Sequence, residues 1–266
     1  RQKIKRHHYD AIIDAQGLFK SAVIAKMAHG VCYGYDRKSI REKGVAWLYN
    51  KNMVVSKKLH AVERNRQLFA KALGYDIETM APDYGIRDRF LSEVEAPKAP
   101  YLMFLHGTTW INKHYPQRSW QQLAQLATQE GYKVKFNSGN PQEKARAMAI
   151  AKDVKGVEAL DRRPLRELAE LLVAAKGAIS VDTGLGHLAT ALNVPLVALY
   201  GPTNPALSGT YGPRQLALSA DFGCAPCMKR TCTYQGPSKG VEPACFSTLP
   251  PERVWQALKG QMAIKN

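Results

Sequence analysis

Six residues, Asp182-Thr183-Gly184-Leu185-Gly186-His187, place a carboxylate, a hydroxyl, two glycines and an imidazole directly after the apolar run Gly177–Val181. That set suits a polar, phosphorylated guest. Glycines at the start of a helix leave backbone N–H groups free, and an anion there is stabilised by the unpaired donors and the helix dipole. Asp182 repels a phosphate unless it faces another partner, for which a sugar hydroxyl is well suited. A structural alternative stands beside this one: Asp182 caps the helix, a contribution of about 1 kcal/mol, and His187 bonds to backbone.

Two further apolar runs end in similar chemistry. "FLHGTTWINKHYP" carries Gly107, Thr108, Thr109 and Lys113 before a helix opening near Pro116. Glycine lets the backbone approach a ligand, hydroxyls donate hydrogen bonds, and lysine brings a mobile positive charge. The same threonines serve equally well to cap the helix. In "KVKFNSGNPQEKAR", Glu143 follows Gly139 at the start of a helix. There a carboxylate accepts two ribose hydroxyls, or simply complements the helix dipole in its first turn. Each tip alone is ambiguous; three of one kind point to a shared site.

The elements that must position these tips alternate. "YDAIIDAQG", "VCYGYD", "YLMFLHGT", "KVKFNSG", "GAISVDTG" and "VPLVALYG" read as strands. "LFKSAVIAKMAHG", "HAVERNRQLFAKALGY", "PQRSWQQLAQLATQEG", "PQEKARAMAIAKD", "PLRELAELLVAAKG" and "PPERVWQALKGQMA" show helical spacing. Such alternation predicts α/β architecture with parallel, doubly wound sheets, whose ligands sit beyond the C-terminal strand ends. The proline-rich stretch 80–101 lacks a sustained period and reads as a domain end and linker, dividing the 266 residues into domains at 1–92 and 98–248, with a last helix over 249–266.

Composition narrows the class further. The balance of 38 Lys+Arg against 22 Asp+Glu, net +16, calls for an anionic partner. A non-enzymatic nucleic-acid binder is one candidate, but neither basic residues interleaved with aromatics nor a known module is visible. No window is apolar enough to span a bilayer, and the charged start "RQKIKRHHYD" is not a signal peptide. Cys224, Cys227, Cys232 and Cys245 crowd the tail. Without a secretory signal they are free or redox-active thiols, or a structural metal site whose later spacings fit no common finger. Cys32 reads as a core residue. No G-x-G-x-x-G follows a strand, and no P-loop, H-E-x-x-H or G-x-S-x-G occurs.

"DAQGLFKSA", "HAVERNRQLFAKALGY", "FLHGTTWINKHYP" and "SVDTGLGHLATALNVPLVALYGPTNP" together resemble the bacterial ADP-heptose:lipopolysaccharide heptosyltransferases of glycosyltransferase family 9, closest to the heptosyltransferase I type, from about Tyr9 to Gly212. The resemblance implies the GT-B fold, two facing Rossmann-like domains with the acceptor on the first and the sugar nucleotide on the second. It also implies that the last helix crosses back to the first domain. ADP-heptose is the implied donor, with no cofactor and no catalytic metal. Thr108, Thr109 and Lys113 would hold its diphosphate, Glu143 its ribose and Asp182 its heptose hydroxyls, while Thr183, Gly184 and His187 complete the phosphate pocket. Another nucleotide-sugar transferase of this fold, such as the heptosyltransferase II type, is the alternative.

The implied reaction is an inverting displacement through an oxocarbenium-like transition state, with heptose passing to the Kdo of the lipopolysaccharide inner core. Lys113 and Asp182 are the catalytic candidates here. The general base belongs to a family loop expected in a segment upstream of this chain, and Asp14 is expected to be structural. Basic runs in the first domain would meet the anionic Kdo-lipid A acceptor and the cytoplasmic face of the inner membrane, where each Lys or Arg adds about 1 kcal/mol of attraction. Arg41, His60, Arg64 and Arg66 are the named acceptor contacts. No nucleic-acid partner is expected.

Overall fold

A computed structural model describes residues 2–77, 82–238 and 240–264. The chain divides into two units, Arg1–Ala81 with Ala206–Ser208, and Pro82–Pro205 with Gly209–Asn266.

In the first unit α1 (Gln2–Lys5), β1 (His8–Asp14), α2 (Phe19–Lys26), β2 (His29–Tyr35), β3 (Lys51–Met53) and α3 (Ala61–Leu73) follow one another. The three strands are parallel in the order β1-β2-β3. Ala22, Cys32, Ile40, Val45 and Leu68 form the core, so Cys32 is the buried residue expected. Burial pushes its thiol pKa up. At the end of β1 the buried Asp14 carboxylate accepts from the backbone N–H groups of Gln16 (2.9 Å) and Gly17 (3.1 Å), and from the hydroxyls of Ser21 (2.9 Å) and Tyr49 (2.7 Å). Four donors hold it in place, matching the structural role expected of it. The Tyr49 ring lies so close over Gly34 that any side chain there would collide with it.

The second unit holds α4 (Arg87–Leu91), β4 (Tyr101–Leu105), α5 (Gln117–Gln129), β5 (Lys133–Phe136), α6 (Pro141–Ala151), β6 (Val157–Ala159), α7 (Leu165–Ala174), β7 (Gly177–Val181), α8 (Gly184–Ala191), β8 (Leu196–Tyr200), α9 (Pro205–Ser208, most of which groups with the first unit), β9 (Gln215–Ser219) and α10 (Pro251–Ala263). Its six strands are all parallel, in the order β6-β5-β4-β7-β8-β9. Along β4, Leu102 and Phe104 enter one core with Trp120 and Trp255, while Met103 and Leu105 enter another with Leu172 and Leu192. A strand whose two faces are both covered must be apolar throughout, which is why YLMFL does not alternate.

Two expectations are corrected here. The boundary falls after Ala81 rather than at 92, because the supposed linker carries α4. Ile86 and Phe90 pack on the second core, and Arg87 donates to the Leu192 and Asn193 carbonyls. The final helix, expected to cross back to the first domain, groups with the second unit. α10 lies against α5 and β7–β9, with Val254, Trp255 and Leu258 buried.

Phe104 meets Trp120 and Phe136 at ring-centroid distances of 5.4 and 5.3 Å, at the centre of the larger core. Phe104→Ala should therefore cost about 3–5 kcal/mol of unfolding free energy. Urea denaturation followed by tryptophan fluorescence checks this, and a loss below about 1 kcal/mol would contradict the core assignment.

Candidate functional site

Strand order decides where a ligand can sit in the second unit. From β4 the sheet grows one way to β5 and β6, and the other way to β7, β8 and β9. Connections leaving β4 and β7 therefore depart to opposite faces and leave a crevice between their C-terminal ends. A cleft of about 300 Å³ occupies that place, and all eight donor candidates, Thr108, Thr109, Lys113, Glu143, Asp182, Thr183, Gly184 and His187, line it together with Gly107. The loops after β4, β5 and β7 thus meet in one place.

The electrostatic centre of the cleft is an ion pair. Lys113 Nζ lies 2.8 Å from Asp182 Oδ2, with both side chains largely sheltered. The Thr203 hydroxyl, from the turn after β8, donates to the same oxygen at 2.7 Å, and the Thr108 hydroxyl donates to the Asp182 carbonyl at 3.0 Å. The Lys113 ammonium also lies 4.4 Å from the centroid of the Trp110 ring, a cation–π contact that helps hold it at the cleft. The N-cap of α8 is Thr183, not Asp182, and its side chain makes no capping bond. The carboxylate is thus committed to Lys113 and Thr203, and the capping alternative is set aside for Asp182.

Glu143 does two jobs at the start of α6. Asn140 caps the helix by accepting from Glu143 N–H at 2.8 Å; in return Glu143 accepts from Gly139 N–H at 2.7 Å and Asn140 Nδ2 at 3.1 Å. This reciprocal cap fixes the carboxylate over Gly107. A Cβ on Gly107 would fall 2.6 Å from the Glu143 carboxyl carbon, so a side chain there would push the carboxylate out of this position. Thr109 and Gly184 are exposed, as is His187 one turn into α8.

Residues not named from sequence support the floor. His106, fully buried, bonds through Nε2 to the Asn137 carbonyl at 3.0 Å. A carbonyl only accepts, so Nε2 carries the proton and Nδ1, which has no partner, is bare. Burial chiefly, then the nearby Arg146 guanidinium, pushes its pKa down to about 4. Arg146 itself donates to His114 Nδ1 at 2.6 Å, and burial likewise lowers the His114 pKa. Thr203 and Trp110 were visible in the sequence but had no signal of their role, because their partners lie in other loops. A separate cavity of about 690 Å³, lined in part by Asn112, His114 and Arg146, shares no residue with the cleft.

The acceptor candidates separate. Arg41 and Arg64 line a cavity of about 530 Å³ in the first unit with Lys57, Ser39 and Asn65. Arg64 donates to the Ser39 carbonyl at 2.7 Å and stacks 4.8 Å from the Tyr35 ring centroid. His60 and Arg66 do not line it. His60 is the N-cap of α3, its Nδ1 accepting from Val62 N–H at 3.2 Å, and Arg66 pairs with Glu63 at 2.7 Å. Two positions apart on a helix is a rotation of about 200°, so Arg64 and Arg66 face opposite ways.

The four tail cysteines differ in setting. Cys224 and Cys232 are exposed, Cys245 is buried with its pKa raised to about 11 chiefly by burial, and all four are free thiols. Among the described residues no three His, Cys, Asp or Glu side chains are grouped to hold a metal ion.

A fully parallel sheet with polar loops meeting at its reversal point gives the second unit the Rossmann-like architecture that binds a ligand at that point. Residues 1–237 match the family model "Glycosyltransferase family 9 (heptosyltransferase)", and the chain belongs to that family. It is 42% identical over 271 residues to lipopolysaccharide heptosyltransferase 1 of Pseudomonas aeruginosa, covering 98% of this chain and 76% of that protein. The Escherichia coli heptosyltransferase WaaC solved with ADP superposes with a TM-score of 0.85 at 37% identity, over 98% of this chain and 75% of that one. WaaC with ADP-2-deoxy-2-fluoro heptose gives 0.81 and 36%, over 97% and 74%. The fold is accordingly GT-B, and the chain is a glycosyltransferase.

The buried neutral His106 makes a prediction about acid stability. Its folded pKa of about 4 lies below the ordinary 6.5, so the unfolded chain takes up the proton first. Stability from this group is complete above about pH 6.5, declines as pH falls and levels off below about 4, by about 3 kcal/mol at most. His106→Gln, uncharged throughout, should flatten this part of the pH dependence of the urea midpoint; parallel profiles for the two proteins would refute it.

Proposed function

We propose that the chain moves L-glycero-D-manno-heptose from ADP-heptose to the Kdo of the lipopolysaccharide inner core, with inversion at the anomeric carbon. The observation that carries this reading is the meeting of Lys113, Glu143 and Asp182 in one cleft at the sheet's reversal point. Relatives named heptosyltransferase 1, and the WaaC complexes with ADP and a fluorinated ADP-heptose, support the choice of donor.

In this reading the diphosphate lies between the hydroxyls of Thr108 and Thr109, the Lys113 ammonium, His187 and the N-terminal amides of α8 at Thr183 and Gly184. Those groups sit where negative charge grows as ADP leaves, and they lower the barrier without a divalent ion. Glu143 takes the ribose hydroxyls with whatever hydrogen-bonding capacity its cap leaves. Asp182, its charge already met by Lys113 and Thr203, takes heptose hydroxyls without expelling the phosphate. The carboxylates and phosphates of Kdo-lipid A go to Arg41 and Arg64 of the first unit. The site of action is the cytoplasmic face of the inner membrane, where the enzyme acts as a peripheral protein. Among the described residues no helix is long and apolar enough to cross a membrane.

Heptose transfer from ADP-heptose to Kdo-lipid A is the direct assay. Lys113→Ala should lower kcat/KM by about tenfold or more, since it removes the charge facing the leaving group. Glu143→Gln should weaken ADP-heptose in calorimetry while leaving inorganic pyrophosphate binding as it was. Unchanged kinetics for Lys113→Ala would remove the cleft from the reaction.

A further inference from the structure

Among the described residues of the first unit, an apolar face lies outside the core. A helical step of about 100° per residue sends Ala22 of α2 inward and leaves Phe19, Val23 and Ile24 outward, at 55%, 46% and 54% exposure. Trp47, on the 3-10 turn Lys43–Leu48, is 80% exposed. The two segments adjoin. Phe19 N–H donates to Glu42 Oε2 at 2.8 Å, and the Phe19 ring lies 3.7 Å from where a Gly44 Cβ would stand. Scattered surface hydrophobics need no explanation, but two neighbouring segments that both turn large apolar side chains outward do.

The charges along these two segments are mainly positive. Lys20 and Lys26 share the exposed side of α2, and Arg41 and Lys43 are exposed beside Trp47. Across 19–26 and 41–48 the one acid is Glu42, and its carboxylate is engaged by the Phe19 amide. A second copy of this chain would bring the same positive charges against its own. Phe19 and Trp47 can stack on bases, but Val23 and Ile24 between them offer a nucleic acid nothing. Lysines flanking tryptophan, phenylalanine and aliphatic side chains match an anionic lipid interface, with rings at the acyl boundary and ammonium groups among the phosphates.

We propose that α2 and the 43–48 turn form the membrane-docking surface, inserting Phe19, Val23, Ile24 and Trp47 shallowly into an anionic leaflet. Arg41 belongs both to this surface and to the cavity that Arg64 and Lys57 line. Docking therefore sets that cavity at headgroup height, so that a lipid-linked acceptor is taken from the bilayer without leaving it. The inference rests on the reading of the acceptor as a lipid.

The test uses the full chain with phosphatidylethanolamine–phosphatidylglycerol vesicles and, separately, neutral phosphatidylcholine vesicles. Sedimentation should show strong preference for the anionic vesicles, and replacing Lys20 and Lys43 together by Ser should cut the partition coefficient more than about tenfold. The variant Phe19→Ser/Val23→Ser/Trp47→Ser should do the same with unchanged circular dichroism. Brominated lipids should quench tryptophan fluorescence in the parent protein and much less in Trp47→Phe. Wild-type partitioning of the folded triple variant, equal binding to neutral vesicles, or quenching that persists without Trp47 would each overturn the proposal. So would a concentration-dependent dimer that the triple variant abolishes, which would assign the face to a second copy. ADP-heptose calorimetry on the same variants should be unaltered, because the donor cleft lies in the other unit. Vesicle docking without heptose transfer would count against the proposed reaction alone.

Discussion

The cleft at the sheet's reversal point is organised by one ion pair, Lys113–Asp182. The lysine belongs to the loop after β4 and the aspartate to the loop after β7. Thr203, from beyond β8, completes the coordination of the same oxygen. One short interaction thus ties three consecutive neighbours in the sheet, β4, β7 and β8. It exists only because β4 and β7 are adjacent although three crossovers separate them in sequence. Any strand order that separated them would leave Asp182 unpaired in a largely sheltered place, at a cost no cap could offset.

The long apolar runs were the legible part of the fold. YLMFL, GAISV and LVALY are buried on both faces, so every residue in them carries the same signal. What stayed hidden was short, marginal or polar. β3 is the three residues Lys-Asn-Met at a sheet edge, and β6 is Val-Glu-Ala at another. An edge strand needs only one apolar face, and three residues are too few to reveal a period. α4 escaped notice because its five residues, Arg-Asp-Arg-Phe-Leu, lie among prolines and charges, and only Phe90 is held by the second core.

The site followed a similar rule. Thr108, Lys113, Glu143 and Asp182 could be named because each stands just past an apolar run, and parallel sheets put such positions on one rim. Which of them touch was not legible, since the contacts run between loops 40 or more positions apart in some cases, as for Thr108 and Asp182. The acceptor side shows the limit more sharply. Arg64 and Arg66 look equivalent as text, yet the turn of α3 sends them opposite ways. His60, named as an acceptor contact, also caps α3, its Nδ1 accepting from Val62 N–H, a local demand that its side-chain type did not announce.

The cysteine tail gains its meaning from this same need to hold Lys113 still. Asn112, next to that lysine and only 2% exposed, sends its side-chain amide to the Lys229 carbonyl at 3.1 Å and lies 3.6 Å from Cys227 Sγ. Its backbone N–H donates to the Arg230 carbonyl at 3.1 Å. From the other side, Met228 N–H reaches the Pro202 carbonyl at 2.7 Å, beside Thr203. Residues 227–230 therefore bridge the lysine's turn and the threonine's turn, the two partners of Asp182. Arg230 approaches the Trp110 ring to 5.5 Å, the ring that also carries the Lys113 ammonium. This segment braces the backbone and the aromatic rest of Lys113, while the ammonium itself is held by Asp182 and the Trp110 ring. In the reaction proposed above, a positive charge fixed in advance needs little rearrangement as charge develops on the leaving group.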